Sequence, residues 1–354
     1  MGIQSPVSED IRSLLRHVIS GQTLDEVEAE RFFFSVMAGS VPPVQLAAVL
    51  TALHMRGETE GELLGAVRAA RRYMLAVEDA PEDAIDVCGT GGDGLGTLNI
   101  STATAFVLAG MGIPVAKHGN RALSSQSGAT DVLQVLGIEP EMDPARQGRR
   151  LAEDGLAFLV APAHHPAMRH AAEVRRALGF RTLFNLVGPL CNPARVKRQV
   201  IGVFDARWLD TVARTLGNLG SVCVWAVHGT TDQGGADELT LAGPSQISAW
   251  EGETLRRYVI EPAMAGLKEC AIGAIAGGDP AYNADALRAL LDGAPGAYRD
   301  TVLLNAAVAL HVAGRFSILE GERISTARLT ENAAFAARAL DSGAALEAFR
   351  KASS

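Results

Sequence analysis

Residues Asp86 to Thr102 read DVCGTGGDGLGTLNIST, and Val115 to Asp131 read VAKHGNRALSSQSGATD. Between Asp93 and Asp131 the chain carries no acidic residue, although the whole protein has 40 Asp and Glu against 32 Lys and Arg. That window offers Gly, Ser, Thr and Asn for hydrogen bonding, with Lys117, His118 and Arg121 as its charged or chargeable side chains. The pattern marks an anion site suited to phosphate. Ala84 to Cys88 is a short, mostly apolar run that enters glycines at once, which predicts a buried strand feeding a loop. Gly89, Gly91 and Gly92 allow positive φ and close approach of backbone N–H groups to a ligand. Asn99 or Ser101 then caps a helix predicted from about Thr102 to Gly110, whose free N–H groups and dipole also favour negative charge.

The pattern repeats in weaker form. Ile113 to Ala116 reads as a second strand, Lys117 to Gly128 as a polar loop, and Asp131 to Leu136 as a helix capped by Thr130 or Ser127. Two such units set the two loops side by side at one end of a parallel sheet, where ligands of open α/β sheets bind. Gly89, Gly91 and Gly94 also match the G-x-G-x-x-G dinucleotide fingerprint. That fingerprint requires an acidic residue roughly 20 positions on, and the window contains none. No G-x-x-x-x-G-K-[ST] loop occurs, which argues against an ordinary nucleotide triphosphatase.

A chain of 354 residues is long enough for two domains. The first 75 residues read as helices at Ser8 to Ser20, Thr23 to Ala38, Val44 to Arg56 and Thr59 to Met74. Thr23 with Glu26 and Thr59 with Glu62 have capping-box spacing, and Gly21, Gly39 and Gly57 are stop signals. An acidic linker, Glu78 to Asp83, follows. Beyond Asp143 strands are expected at Leu156 to Ala161, Gln199 to Phe204 and Val222 to His228. Helices are expected at Pro166 to Leu178, Ala206 to Leu219, Ala284 to Leu291 and Asp300 to Ala313, and the segment Thr326 to Arg350 reads as an amphipathic helix pair or a broken helix. The class is α/β, with a small N-terminal helical domain and a larger α/β domain whose central sheet is mainly parallel.

No signal peptide and no membrane-spanning run is visible. The four cysteines, Cys88, Cys191, Cys223 and Cys270, form no C-x-x-C pair and read as reduced thiols of a cytoplasmic protein. A net charge of −8 argues against a nucleic-acid surface.

Further candidate chemistry lies downstream. The Gly-rich stretch from His228 to Glu238 leaves a strand and ends in adjacent acids, Asp237 and Glu238. Such a pair can hold Mg²⁺, a hard cation that shares its shell with substrate phosphates; the plainer alternative is a solvated loop. Asp93 is a candidate for the same ion or for a sugar hydroxyl, and Asp232 is a weaker one. His164 and His165 leave another strand, either as site residues or as structural ones. Arg175 is suited to clamp a carboxylate or is a surface arginine. Leu178 to Pro193 reads as a buried crossover, with Phe184, Leu186 and Leu190 as packing residues.

Taken together, GTGGD at Gly89 to Asp93, NIST at Asn99 to Thr102, KHGNR at Lys117 to Arg121, HPAM at His165 to Met168, RTLFNLVGPLCNP at Arg181 to Pro193, the Asp237 and Glu238 pair and GGDPAYNA at Gly277 to Ala284 closely resemble the anthranilate phosphoribosyltransferase family. The resemblance runs over essentially the whole chain. It implies a cytoplasmic homodimeric enzyme of tryptophan biosynthesis, with no nucleic-acid or membrane partner. Its helical domain would span 1–80, joined by part of 165–195, and its α/β domain 81–354, with the site at their hinge. Phosphoribosyl pyrophosphate would contact Gly89, Gly92, Asp93, Thr97 and the turn Asn99, Ile100, Ser101 and Thr102. The run Lys117, His118, Gly119, Asn120, Arg121, Ala122, Leu123, Ser124 and Ser125 would close over the phosphates, with Ala129 beside them. Anthranilate would meet Gly89, Asn120, Arg175, His118 and His165. Ser101, Asp237 and Glu238 would hold Mg²⁺, and Lys117, Asp237 and Glu238 would carry the catalysis.

Departures from the family pattern are Ala129 in place of a common Ser, a longer stretch from His228 to Asp237, and Ala263 and Met264 in place of acids. The alternatives weighed are a pyrimidine nucleoside phosphorylase, which shares the architecture, and a non-enzymatic nucleic-acid-binding paralogue.

Overall fold

The computed structural model describes residues 6–120 and 127–353. The expected phosphate-contact residues Arg121, Ala122, Leu123, Ser124 and Ser125 therefore lie outside the described residues. The chain forms two compact units, one of Met1–Leu75 with Pro162–Cys191, the other of Ala76–Ala161 with Asn192–Ser354.

The first unit is helical: Pro6–Ile19, Glu26–Met37, Pro43–Arg56, Glu60–Tyr73 and Arg169–Leu178. The second of these helices is capped not by Thr23 with Glu26 but by Asp25 with Glu28, each side chain bonded to the other residue's backbone N–H. Thr59 and Glu62 do form the capping box that their spacing predicts. The Glu62 carboxylate is fully buried, accepts the Leu24 N–H at 2.9 Å and pairs with Arg56, so one acid ties three segments together. Phe32, Phe33, Leu46, Leu50, Leu53 and Leu63 fill the core. The later segment is stitched in by Arg71, whose guanidinium donates to the Leu190 carbonyl at 2.7 Å, and by the Leu75 N–H on the His164 carbonyl at 2.9 Å. Phe184, Leu186 and Leu190 are buried there as packing residues.

The second unit is built on an eight-stranded sheet. Its strands are β1 (Ile85–Gly89), β2 (Val115–Gly119), β3 (Leu156–Val160), β4 (Arg198–Gly202), β5 (Cys223–Thr231), β6 (Gly234–Ala236), β7 (Ser245–Glu251) and β8 (Thr254–Ile260). The order is β3-β2-β1-β4-β5-β7-β8, with β6 paired to β5. The first five strands are parallel and the last three antiparallel. The hairpin of β7 and β8 has no counterpart in the predicted elements. Its signal is Gly252-Glu253 between two alternating runs, and both residues have positive φ, 54° and 63°, as a tight two-residue hairpin turn requires. In the helix Ala297–Val312 every residue from Thr301 onward is buried, which makes it the central packing rod of this unit.

Three local expectations change. Lys117 and His118 sit inside β2 rather than in a loop, because β2 runs in register with β3 as far as Gly119 opposite Val160. The helix after the glycine loop begins at Ile100 with Asn99 at its N-cap position, but the Asn99 side chain does not cap it. The helix Ala129–Val135 starts after Gly128, whose N–H is taken by the Asp131 carboxylate at 3.0 Å, and neither Thr130 nor Ser127 is the cap residue.

The topology locates the site. β2 and β3 extend the sheet to one side of β1, and β4 and β5 to the other. The carboxyl ends of β1 and β4 are therefore the switch point at which doubly wound sheets open a ligand crevice.

Candidate active site

Gly89 and Gly202 are opposite each other at the ends of β1 and β4. Neither tolerates a side chain: a Cβ on Gly89 would lie 2.3 Å from Asp237 Oδ2, and one on Gly202 would lie 1.5 Å from the Asp237 carbonyl. Asp237 thus sits directly on the switch point. The stretch from His228 is not a solvated loop but a hairpin, in which β6 pairs back along β5 and delivers Ala236, Asp237 and Glu238 to that place. Leu239 is then pinned by buried Asn305, which accepts its N–H at 3.2 Å and donates to its carbonyl at 2.9 Å.

The two acids close onto the glycine loop and the helix start. Asp237 Oδ2 accepts the Gly91 N–H at 2.6 Å, and Glu238 Oε1 accepts the Ser101 N–H at 3.2 Å. Asp93, whose Oδ1 accepts the Leu95 N–H at 3.1 Å, lies close enough to interact with both. Burial, reinforced by Asp93 and Glu238, holds the Asp237 carboxyl well above the usual carboxylate range. Burial pushes Glu238 up to about 7, opposed by the Lys117 charge and by bonds from Ser101.

Beneath the site runs a second polar layer. Lys117 is buried, and its ammonium donates to the Val87 carbonyl at 3.0 Å. Asp86, fully buried, accepts the His118 N–H at 3.0 Å, the Asn192 side-chain amide at 2.8 Å and the Gln199 amide at 3.1 Å. Burial raises the Asp86 carboxyl to about 6, with the Lys117 charge working against it. Sequence reasoning missed Asp86, Asn192 and Gln199 as partners of this layer. The signal available was an acid inside an otherwise apolar strand, which demands buried donors.

The glycine loop itself is held from outside. Thr90 Oγ1 accepts the Phe204 N–H at 3.1 Å, Thr97 bridges Ala276, and the Gly277 N–H donates to the Gly96 carbonyl at 2.7 Å. Gly92, like Gly91, has a positive φ. Asn120 is exposed just past β2, and its carbonyl accepts the Thr130 N–H at 3.4 Å. Ala129 lies beside Gly119. The structure thus brings Gly89, Gly91, Asp93, Ser101, Lys117, Asp237 and Glu238 into one connected network.

Arg175 and His165 belong to the helical unit. The Arg175 guanidinium lies over the Phe184 ring, 5.4 Å from its centroid, and burial lowers its pKa. His165 is buried, and burial followed by the nearby His164 pushes it down to about 4, so it is neutral at neutral pH.

Asp93, Asp237 and Glu238 crowd negative charge where burial already disfavours it, which suits a divalent cation. Among the described residues no group of three or more His, Cys, Asp or Glu is arranged to hold a metal alone. Mg²⁺ fits such a donor set, because it binds through one or two carboxylates and completes its shell with phosphate and water.

Residues 81–346 match the α/β domain of the glycosyl transferase family, and residues 12–74 match its helical bundle domain. Fold and site define a glycosyl transferase of this two-part kind. The chain is 65% identical to an anthranilate phosphoribosyltransferase of Gluconobacter oxydans, over 97% of its own length and 96% of the relative's. The crystal structure of anthranilate phosphoribosyltransferase from Thermus thermophilus superposes with a TM-score of 0.86 at 39% identity, covering 96% of this chain and 98% of that one. The Saccharomyces cerevisiae enzyme in complex with phosphoribosyl pyrophosphate and Mg superposes with a TM-score of 0.85 at 26% identity, covering 98% and 97%. The chain belongs to the anthranilate phosphoribosyltransferase family.

Proposed function

We propose that the protein transfers the phosphoribosyl group of 5-phosphoribosyl 1-pyrophosphate to the amine of anthranilate, giving N-(5-phosphoribosyl)anthranilate and pyrophosphate in tryptophan biosynthesis. The observation that carries this is the return of Asp237 and Glu238 along the β5–β6 hairpin onto the Gly91 and Ser101 N–H groups. It joins an acidic pair to an anion-binding loop. Neither the nucleoside phosphorylase nor the nucleic-acid reading is favoured by the relatives.

The glycine loop from Gly89 to Asp93, Thr97 and the helix start at Asn99 to Thr102 bind the diphosphate through backbone N–H and hydroxyl groups. Gly119 and Asn120 at the end of β2, with Ala129 at the start of the following helix, border the phosphates. Asp237 and Glu238, with the Ser101 hydroxyl, would hold Mg²⁺, which when bound stabilises charge on the departing diphosphate. Lys117 adds positive charge from below. Arg175 clamps the anthranilate carboxylate.

The anthranilate nitrogen forms a bond to the anomeric carbon as the bond from that carbon to the pyrophosphate oxygen breaks. The amine becomes acidic as the new bond forms and releases its proton late, so no strong base is required. Catalysis rests on positioning and electrostatics.

We read the enzyme as a cytoplasmic homodimer. The four cysteines are free thiols, as a reducing compartment keeps them; a monomer mass by light scattering would remove the dimer. The activity is tested by mixing the protein with anthranilate, phosphoribosyl pyrophosphate and Mg²⁺ and following anthranilate fluorescence. Loss of fluorescence that EDTA abolishes is expected; none from folded protein overturns the reading.

A further inference from the structure

The GGDPAYNA segment, Gly277 to Ala284, has no role in the reaction as described above. In the structure it grips the turn leading into the helix Ile100–Gly110. Asn283, 2% exposed, donates its side-chain amide to Asn99 Oδ1 at 2.9 Å, and its own Oδ1 accepts the Gly278 N–H at 2.8 Å. The Tyr298 hydroxyl donates to the Asn99 carbonyl at 3.0 Å. The Leu98 N–H donates to the Ile275 carbonyl at 3.0 Å, and a Cβ on Gly277 would lie 2.7 Å from the Thr97 carbonyl.

This grip changes what Asn99 does. An asparagine at an N-cap position ordinarily accepts the N–H of the second or third helical residue and so stabilises its own helix. Those residues are Ser101 and Thr102. Here Asn99 makes no such bond, because its side chain is turned away to Asn283. The Ser101 N–H meets an acidic oxygen instead, that of Glu238. The chain therefore forgoes a self-cap and keeps the helix N-terminus for anionic groups, the property that makes such a terminus bind phosphate.

We propose that Asn283 and Tyr298 are positioning residues that hold Asn99 off its own helix, so that the Thr102 N–H at the helix N-terminus faces the diphosphate of phosphoribosyl pyrophosphate. The proposal rests on the function given above. Without Asn283, Asn99 is released to cap its helix and compete with the substrate. The helix gains a cap while the substrate loses a donor, so stability and affinity move apart.

The test compares wild type with Asn283→Ala and Tyr298→Phe. It measures KM for each substrate, ligand-free Tm, and the rise in Tm produced by phosphoribosyl pyrophosphate with Mg²⁺. In both variants KM for phosphoribosyl pyrophosphate should rise about fivefold, the worth of one hydrogen bond, and the ligand-induced rise in Tm should shrink. KM for anthranilate should not change, and Tyr298→Phe should keep its ligand-free Tm. Wild-type values for phosphoribosyl pyrophosphate in both variants would overturn the proposal. So would a fall in ligand-free Tm with both KM values rising together, which is the mark of a packing role. If wild type binds phosphoribosyl pyrophosphate but turns nothing over, the functional reading fails, while the Tm comparison still decides the clamp.

Discussion

Gly202 faces the backbone of Asp237 so closely that a Cβ there would lie 1.5 Å from the Asp237 carbonyl oxygen. Its neighbour across the strands, Gly89, faces the Asp237 carboxylate in the same way. Two glycines at a topological switch point are what let an acid from a hairpin over 30 residues downstream rest on the ends of β1 and β4.

Gly202→Ala should therefore push Asp237 off its seat. The obstacle is backbone, so the hairpin rather than a flexible side chain must move. A stability loss of about 1–3 kcal/mol is expected from overpacking, with Mg²⁺-dependent turnover down by about tenfold or more. Chemical denaturation and steady-state kinetics check this, and a variant with wild-type turnover would show that the seat of Asp237 is immaterial.

Replacing the acids themselves separates fold from function. Asp237→Asn with Glu238→Gln keeps the shape and relieves the crowding of carboxylates, so the ligand-free protein should be at least as stable as wild type. Turnover should fall by on order of a hundredfold or more, as for loss of transition-state electrostatics. Full activity in the double variant would eliminate these residues as metal ligands.

The acidic pair also sets a pH dependence. Glu238 is raised by burial from an ordinary 4.5 to about 7. Between those values the folded protein holds a proton that the unfolded chain has lost, so this group's contribution to stability is present at low pH and fades as pH rises through about 7. Metal binding requires the carboxylate form. Ligand-free Tm should fall from about pH 5 to pH 8 in wild type more than in Glu238→Gln, and Mg²⁺ affinity should rise over the same interval. Parallel Tm profiles for the two proteins would refute this.

Arg175→Ala should raise KM for anthranilate about tenfold or more, since a hydrogen bond to a charged group is worth roughly 1.5–3 kcal/mol, and leave KM for phosphoribosyl pyrophosphate alone. Its packing on Phe184 fixes the guanidinium, so Arg175→Lys should not restore the value. An unchanged anthranilate KM in the alanine variant would remove the clamp.

Much of the α/β unit was legible because its signals are local. The apolar run before Gly89, the acid-free window and the adjacent Asp237 and Glu238 name strand, anion loop and acidic pair without reference to any distant residue. Thr59 and Glu62 marked a helix start three residues apart and form that cap. Thr23 and Glu26 have the same spacing and do not, because Asp25 and Glu28 take the box and the Leu24 N–H is claimed by Glu62 from another helix. Lys117 and His118 read as loop residues since charge argues against a strand; burial beside Asp86 and the carbonyl of Val87 reverses that.

The amino-acid order by itself determined the class of the fold, the glycine-rich loop that follows a buried strand and the adjacency of Asp237 and Glu238, since backbone freedom at glycine, strand periodicity and charge are properties of neighbours in sequence. Tertiary structure alone decided that Asp237 sits over Gly89 and Gly202, that Asp86 meets Asn192 and Gln199, and that Asn99 is held by Asn283 instead of capping its own helix. Each of these joins residues more than 30 positions apart. Which donor meets which acceptor across such distances is fixed by strand order and packing, and by the cost of leaving a buried polar group unpaired.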